Sequence, residues 1–443
     1  MAVNNKTRYT ECLLSINYNY CKGKNFMMKK SQRIMACVSV ICIAVFVMLS
    51  DTYAFDKQTN MLNQHTSSYW PISPAYGSAD TVNKSSLKEP LYKRSKKVWP
   101  DLPYTDTDIK VKTLKGFLWM LKFMNADNHL KGNENNYLTM LGTMYGSARD
   151  PYFRRMALEE ARHVASKLMS DDFTGRYGNN VDALLDYLSL FNRLGIMNQE
   201  LQELTFKKLS EKKQDIIETV NKQKRTPIDG DELYDTMLVT YYITNLKKNF
   251  PHARVLHDLP DLRDFMEILT RYKYHMEDEK NVDFSRLSSD DIDTIMDDLY
   301  NITHVIFVVC DYSSYSVPKK YFQREISYML KYYDLICSKY HYDPDLLTEV
   351  VYVFSSMGYP KDYGIIKKGW ITILDSQKED GSWKAYGVDE DASDTDKNYD
   401  IFHATWVAVD MLVEPVILGI APFYKPLTKS LEKYADAYRM RKK

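Results

Sequence analysis

The chain has 443 residues, and its 59 Lys and Arg balance 59 Asp and Glu, so the formal net charge is zero. A balanced charge offers no overall field to hold a polyanion, which argues against a nucleic-acid partner. The 35 Tyr and 21 Met supply a core or an adaptable groove, while only 16 Gly leave little material for phosphate-cradling loops.

In chain order, the first element is a targeting region over 1–54. Within it MKKSQRIMACVSVICIAVFVMLSDTYA (28–54) joins a basic start at Lys29, Lys30 and Arg33 to an apolar run, then to small residues Thr52 and Ala54 placed for cleavage. This predicts a secretory signal peptide and an exported protein, periplasmic or extracellular. The apolar run 34–49, at about 1.5 Å per residue, spans roughly 24 Å, short of a hydrocarbon core of about 30 Å. A retained anchor over 34–49 is the alternative, and any membrane contact is expected only there. Met28 offers a second start. Of the six cysteines, four precede residue 54, leaving Cys310 and Cys337 in apolar helical patterns where buried thiols or one disulfide would fit.

Residues 55–107 are rich in Ser, Asn, Thr, Pro and Lys without a helical period, which predicts an extended linker. From 108 onward apolar residues recur at three and four spacing. They predict helices over 111–124, 137–145, 152–169, 181–194, 201–220, 232–246, 262–276, 290–309, 319–340, 344–357, 364–374, 402–412 and 426–438. One set is charged and amphipathic, as in ELTFKKLSEKKQDIIETV. The other is apolar nearly all round, as in LLDYLSLFNRLG, LYNITHVIFVVCDY, LLTEVVYVFSSMGY and IFHATWVAVDML. Helices apolar on every face must be buried on every face. Their alternation with charged helices, roughly every 50 to 65 residues, is the pattern of stacked helical hairpins. An open solenoid needs a polar concave face that the apolar set does not provide. The expected fold of 108–443 is therefore all-α, an α/α toroid in which about six hairpins form a double ring.

Some residues in the apolar helices carry chemistry. Capping accounts for acids at helix starts, such as Asp290 and Asp291 after Ser288 and Ser289. Asp235, Glu349 and Asp186 follow the first turn in apolar company and call for another role. His304 lies in LYNITHVIF. His403 lies in DIFHATW, with Asp400 three residues earlier on the same face, placed to orient the imidazole and fix its tautomer. In a closed ring both histidines come from inner helices and reach the centre. Two readings stay open: core histidines bonded to neighbouring hairpins, or a working site. In the second, His304 and His403 ligate a divalent metal, or they act with Asp400 and Asp235 in acid/base chemistry.

The stretch KGWITILDSQKEDGSW (368–383) resembles the repeat motif of squalene-hopene cyclases and related terpene cyclases. Lys368, Gly369, Ile373, Gln377, Gly381 and Trp383 match it, and Thr372 stands where an aromatic is usual. The resemblance implies a structural role in which the Gln closes the helix end, the Trp covers it, and one hairpin is tied to the next. DIFHATW occupies the place where those cyclases carry an Asp-x-Asp-Asp proton donor. Asp400 matches the first acid, while Phe402 and His403 replace the others. FHAT is also similar to the inner-helix start that bears a zinc-ligating His in protein prenyltransferase β subunits, which implies a metal at His403. These resemblances imply a small apolar, terpenoid-like ligand. Export favours a carbohydrate, on which carboxylates in an aromatic-lined cleft act as general acid and base. Outside the enzymes, the alternative is a non-catalytic envelope module for binding or interaction.

Overall fold

The computed structural model describes residues 103–441 except 127–128, 280–281, 338–342, 360–362, 384–392 and 414–416. These residues belong to Ser85–Lys443, the second of two units. The predicted targeting region 1–54, and the predicted linker as far as residue 102, lie outside the described residues.

The described chain is all-helical. Its α-helices are α1 (Asp106–Met124), α2 (Glu134–Ser147), α3 (Pro151–Ser170), α4 (Phe173–Tyr177), α5 (Val181–Arg193), α6 (Gln199–Gln223) and α7 (Gly230–Asn249). They continue with α8 (Leu262–Leu269), α9 (Ser289–Val309), α10 (Gln323–Ile336), α11 (Pro344–Ser356), α12 (Gly364–Asp375), α13 (Asp394–Leu412) and α14 (Thr428–Arg441). Among the described residues no strand forms, and an isolated bridge joins Ser316 to Ile420. No helix among them is long and apolar enough to cross a membrane.

Helix boundaries depart from the apolar periodicity where polar chemistry sets them. The run at 402–412 is the inner half of α13, which starts at Asp394 because the Ser393 side chain accepts the Asp396 N–H. Asp394 and Asp396 also meet the positive end of the helix dipole. Such a polar first turn carries no hydrophobic signal. Helix α8 ends at Leu269 rather than 276, since the Tyr274 N–H bonds Glu277 Oε2 at 3.2 Å instead of continuing the ladder. Helix α4 is a single turn capped by Asp172, too short to show a period. The SSDDID stretch opens α9 as a capping box between Ser288 and Asp291.

The apolar set packs as a cycle: α2 on α5, α5 on α7, α7 on α9, α9 on α11, α11 on α13, and α13 on α2. The charged set lies against it, with α3 on α2, α6 on α5, α8 on α7, α12 on α11 and α1 on α13. Burial accounts for the difference in composition. Helix α11 buries Leu346, Leu347, Val350, Val351, Val353 and Phe354 around its whole circumference. Each such side chain contributes about 1.5–3 kcal/mol on leaving water. Helix α6 buries only a stripe through Leu201, Thr205, Leu209, Val220 and Gln223.

The SQKEDGSW segment joins the end of α12 to α1, far away in sequence. Gln377 Nε2 donates to Lys112 O at 2.8 Å and to Gly381 O at 2.9 Å, and Lys112 Nζ donates to Leu374 O at 2.8 Å. Trp383 is 1% exposed, and its Nε1 donates to Ile373 O at 2.8 Å. Gly381 adopts φ +100°, and a Cβ there would stand 2.6 Å from Lys115 O, so both conformation and space require glycine. A Cβ on Gly369 would likewise meet Val351 Cγ2 at 2.4 Å, which explains the small residue where α12 crosses α11.

Candidate functional site

Helical spacing builds the site. Four helices of the cycle turn one face toward a common cavity: Tyr234, Leu238 and Tyr242 on α7; Tyr300, His304 and Phe307 on α9; Asp345, Glu349 and Tyr352 on α11; Tyr399, His403, Trp406 and Asp410 on α13. Steps of three and four residues keep each set on one face. The outer part has a volume of about 310 Å³ and is lined by Tyr234, Tyr300, Asp343, Asp345, Tyr399 and Asp400, together with His304 and His403. An inner recess of about 120 Å³ shares Tyr234, His304, Tyr399 and His403 with it and adds Asp186 of α5, Glu349, Asp410 and Asn135 of α2. All six helices of the cycle contribute to the recess. On each of the four helices the mouth residues precede the recess residues, so all four run in one direction from mouth to recess.

The histidines are set by their neighbours. His403 Nδ1 lies 2.6 Å from Asp345 Oδ2. A carboxylate accepts, so Nδ1 carries the proton and Nε2 keeps its lone pair. Tyr399 stacks on the imidazole at 4.6 Å and 24°, and Trp406 meets it edge-on at 4.8 Å, fixing the ring plane. His304 Nδ1 lies 2.9 Å from Tyr300 O. A carbonyl can only accept, so here too the lone pair is on Nε2. Burial holds His304 down at about 4, and it is therefore neutral at ordinary pH.

The acids differ in state. Burial, then the charge of Asp345, pushes Glu349 well above the usual carboxyl range, and Thr303 Oγ1 donates to its Oε2. His304 Nδ1 approaches Glu349 Oε2 at 3.6 Å, but with the imidazole neutral this is not an ion pair. Burial also raises Asp186 to about 6, with Asn135 Nδ2 donating to its Oδ2 at 3.1 Å. Asp410 is pushed well above its ordinary value by burial, and Trp406 Nε1 donates to its Oδ2 at 2.8 Å. At the mouth, the Tyr300 hydroxyl lies 2.9 Å from Asp343 Oδ2 and 3.1 Å from Asp345 Oδ2.

Of the residues singled out from sequence, His304, His403, Asp400, Glu349 and Asp186 line the one cavity. Asp235 is exposed and lines neither part of it. The carboxylate bonded to His403 Nδ1 is Asp345, 58 residues away on the neighbouring helix. Asp345 escapes a sequence reading because DPD opens α11, with Asp343 as the cap and Pro344 in the first turn, so its acid looks like a dipole partner. Asp410 carries a signal, an acid one turn after Trp406 in the largely apolar inner half of α13. One group of possible metal ligands occurs among the described residues: Asp345, Glu349 and His403 offer donor atoms within 4.8 Å of one another. His304 is not in that group. Cys310 and Cys337 are free thiols, raised to about 12 and about 11 chiefly by burial.

Comparison with protein-family models, curated proteins and solved structures finds no match to this chain.

Proposed function

We propose that the chain is an exported α/α toroid whose axial cavity is the active site of an enzyme acting on a carbohydrate by acid/base chemistry. The closed cycle of six helices with a second set around it supports the toroid. The observation that carries the chemistry is the 2.6 Å contact between His403 Nδ1 and Asp345 Oδ2, beside a Glu349 carboxyl that burial pushes well above the usual carboxyl range. With its Nδ1 proton engaged by Asp345, His403 presents Nε2 as a general base that removes a proton from substrate or water. Asp345 stabilises the imidazolium that results. Glu349 is the general acid that returns a proton to the departing oxygen. Phenols of Tyr234, Tyr300 and Tyr399 and the Trp406 ring suit sugar faces and hydroxyls. A prenyl diphosphate fits less well, because no Lys or Arg is among the described residues lining the cavity, while Asp186, Asp343, Asp345, Glu349, Asp400 and Asp410 are.

The test is incubation of the purified protein with a panel of oligosaccharides, with products read by mass spectrometry, beside His403→Ala. Turnover by the parent and its loss, by about 10²–10⁴-fold, in the variant is the expected result. Tight binding without turnover would instead favour the non-catalytic module, and neither binding nor turnover would remove the reading. A second reading is supported by the Asp345, Glu349 and His403 donor group. There a divalent cation would sit among those atoms and activate a water in place of the imidazole.

A further inference from the structure

The inner recess contains more acid than the proposed acid/base chemistry uses. Asp186 and Asp410 enter it from α5 and α13, and only 7% and 4% of their surface is exposed. Neither takes part in the His403, Asp345 and Glu349 arrangement. Asp410 is held on one side by Trp406 Nε1, yet its Oδ1 is buried without a hydrogen-bond partner; Asp186 Oδ1 is buried likewise, with the Tyr242 hydroxyl beside that carboxyl. A buried carboxyl oxygen left unpaired costs free energy unless something arrives to bond it. The surroundings indicate what arrives. Aromatic faces of Tyr242, Tyr312 and Trp406 border the recess, and no Lys or Arg is among its described lining residues. Arg193 does act on Asp410 electrostatically, but its guanidinium is engaged behind the wall. It pairs with Asp311 at 3.5 Å, donates to Gly142 O at 3.2 Å and lies over the Tyr312 ring.

Unpaired carboxyl oxygens inside an aromatic enclosure match a cation that carries N–H donors. Such an ion bonds both acids and rests on the ring faces. It also supplies the opposite charge whose absence makes ionised buried carboxylates costly. We propose that the recess binds a protonated amine, so that the carbohydrate taken by the cavity is an amino sugar with its ammonium group between Asp410 and Asp186. This inference rests on the carbohydrate reading of the cavity and specifies its substrate class.

The experiment is isothermal titration of the full purified protein with three β-1,4-linked trisaccharides that differ only at C2, built from glucosamine, N-acetylglucosamine or glucose. Methylammonium chloride is titrated as a sugar-free probe. The glucosamine trisaccharide is expected to bind about tenfold or more tightly than the other two, as a charge-assisted bond to a buried acid requires. In Asp410→Asn that preference should vanish while the glucose trisaccharide still binds, with near-ultraviolet circular dichroism verifying the fold. Asp186→Asn serves as the second variant if Asp410→Asn does not fold. Equal affinities in the parent protein, or an undiminished preference in the folded variants, would overturn the inference. Binding of the glucose trisaccharide without an amine preference removes this inference alone. Capture of methylammonium with all three trisaccharides excluded keeps the ammonium recess and removes the carbohydrate reading.

Discussion

His403 Nδ1 and Asp345 Oδ2 stand 2.6 Å apart across two neighbouring helices, and both side chains are mostly buried, at 11% and 14% exposure. The contact fixes the imidazole tautomer and gives the resulting imidazolium a counter-charge. Asp345→Asn keeps the shape but removes that charge. Activity on the substrate found by the oligosaccharide panel is expected to fall about 10²–10⁴-fold in kcat with little change in KM. A loss confined to KM would show that Asp345 acts in binding.

Glu349 is expected to work as the protonated partner, because burial and the Asp345 charge raise its carboxyl. The fall of kcat/KM on the alkaline side should therefore follow loss of the Glu349 proton. In Glu349→Gln the alkaline limb should disappear and the rate fall about 10²–10⁴-fold, as measured by a pH–rate series for parent and variant.

Stability should respond to Asp186. Its carboxyl is raised by burial to about 6, so the folded chain binds this proton more tightly than the unfolded chain does. That contribution is fully present below the unfolded value of about 3.8 and is lost as pH rises through 6. Buried His304, depressed to about 4, works in the opposite direction, and its contribution weakens stability as pH falls from about 6.5 toward 4. Asp186→Asn removes one of the two. Relative to the parent it should gain roughly 3 kcal/mol between acid pH and pH 7, read from urea melts at several pH values.

The clasp between α12 and α1 should be a stability element rather than a catalytic one. Gly381→Ala introduces a side chain at φ +100° against Lys115 O and should cost about 2 kcal/mol or more. Gln377→Ala removes the bonds to Lys112 O and Gly381 O and should cost about 1–3 kcal/mol. Denaturant melts check both. Unchanged midpoints would mean that the clasp contributes nothing.

The metal reading has its own test. Elemental analysis of parent protein, Asp345→Asn and His403→Ala should find stoichiometric zinc, iron or copper only if a cation works at this site. Metal in the parent and loss in both variants would replace the imidazole base by metal-bound water. Metal-free active protein is the outcome expected from the His403–Asp345 contact.

Much of the helical plan was legible because burial writes itself into composition. Helices apolar on every face, such as α11 and the inner half of α13, correspond to the cycle, and charged ones such as α6 lie against it. His304 and His403 stood out as polar residues in apolar helices, and they do line one cavity. The site's pairing was not legible. Asp345 looks like an ordinary first-turn acid, and only the packing of α11 on α13 brings it to His403. Asp400, nearer in sequence, lines the mouth. Asp235 carries the same chemistry as Asp186, but it faces outward, and one helical step decides between the two fates. The motif ending in Gln377 and Trp383 announced a clasp. That its partner is α1, rather than the next hairpin in sequence, is a property of the cycle's closure.

The most direct measurement is turnover of an oligosaccharide panel by purified parent protein beside His403→Ala, with products followed by mass spectrometry. Cleavage by the parent, lost in a folded variant that still binds the sugar, is the predicted result. Equal turnover by the two proteins, or a parent protein that neither binds nor changes any sugar, would contradict it.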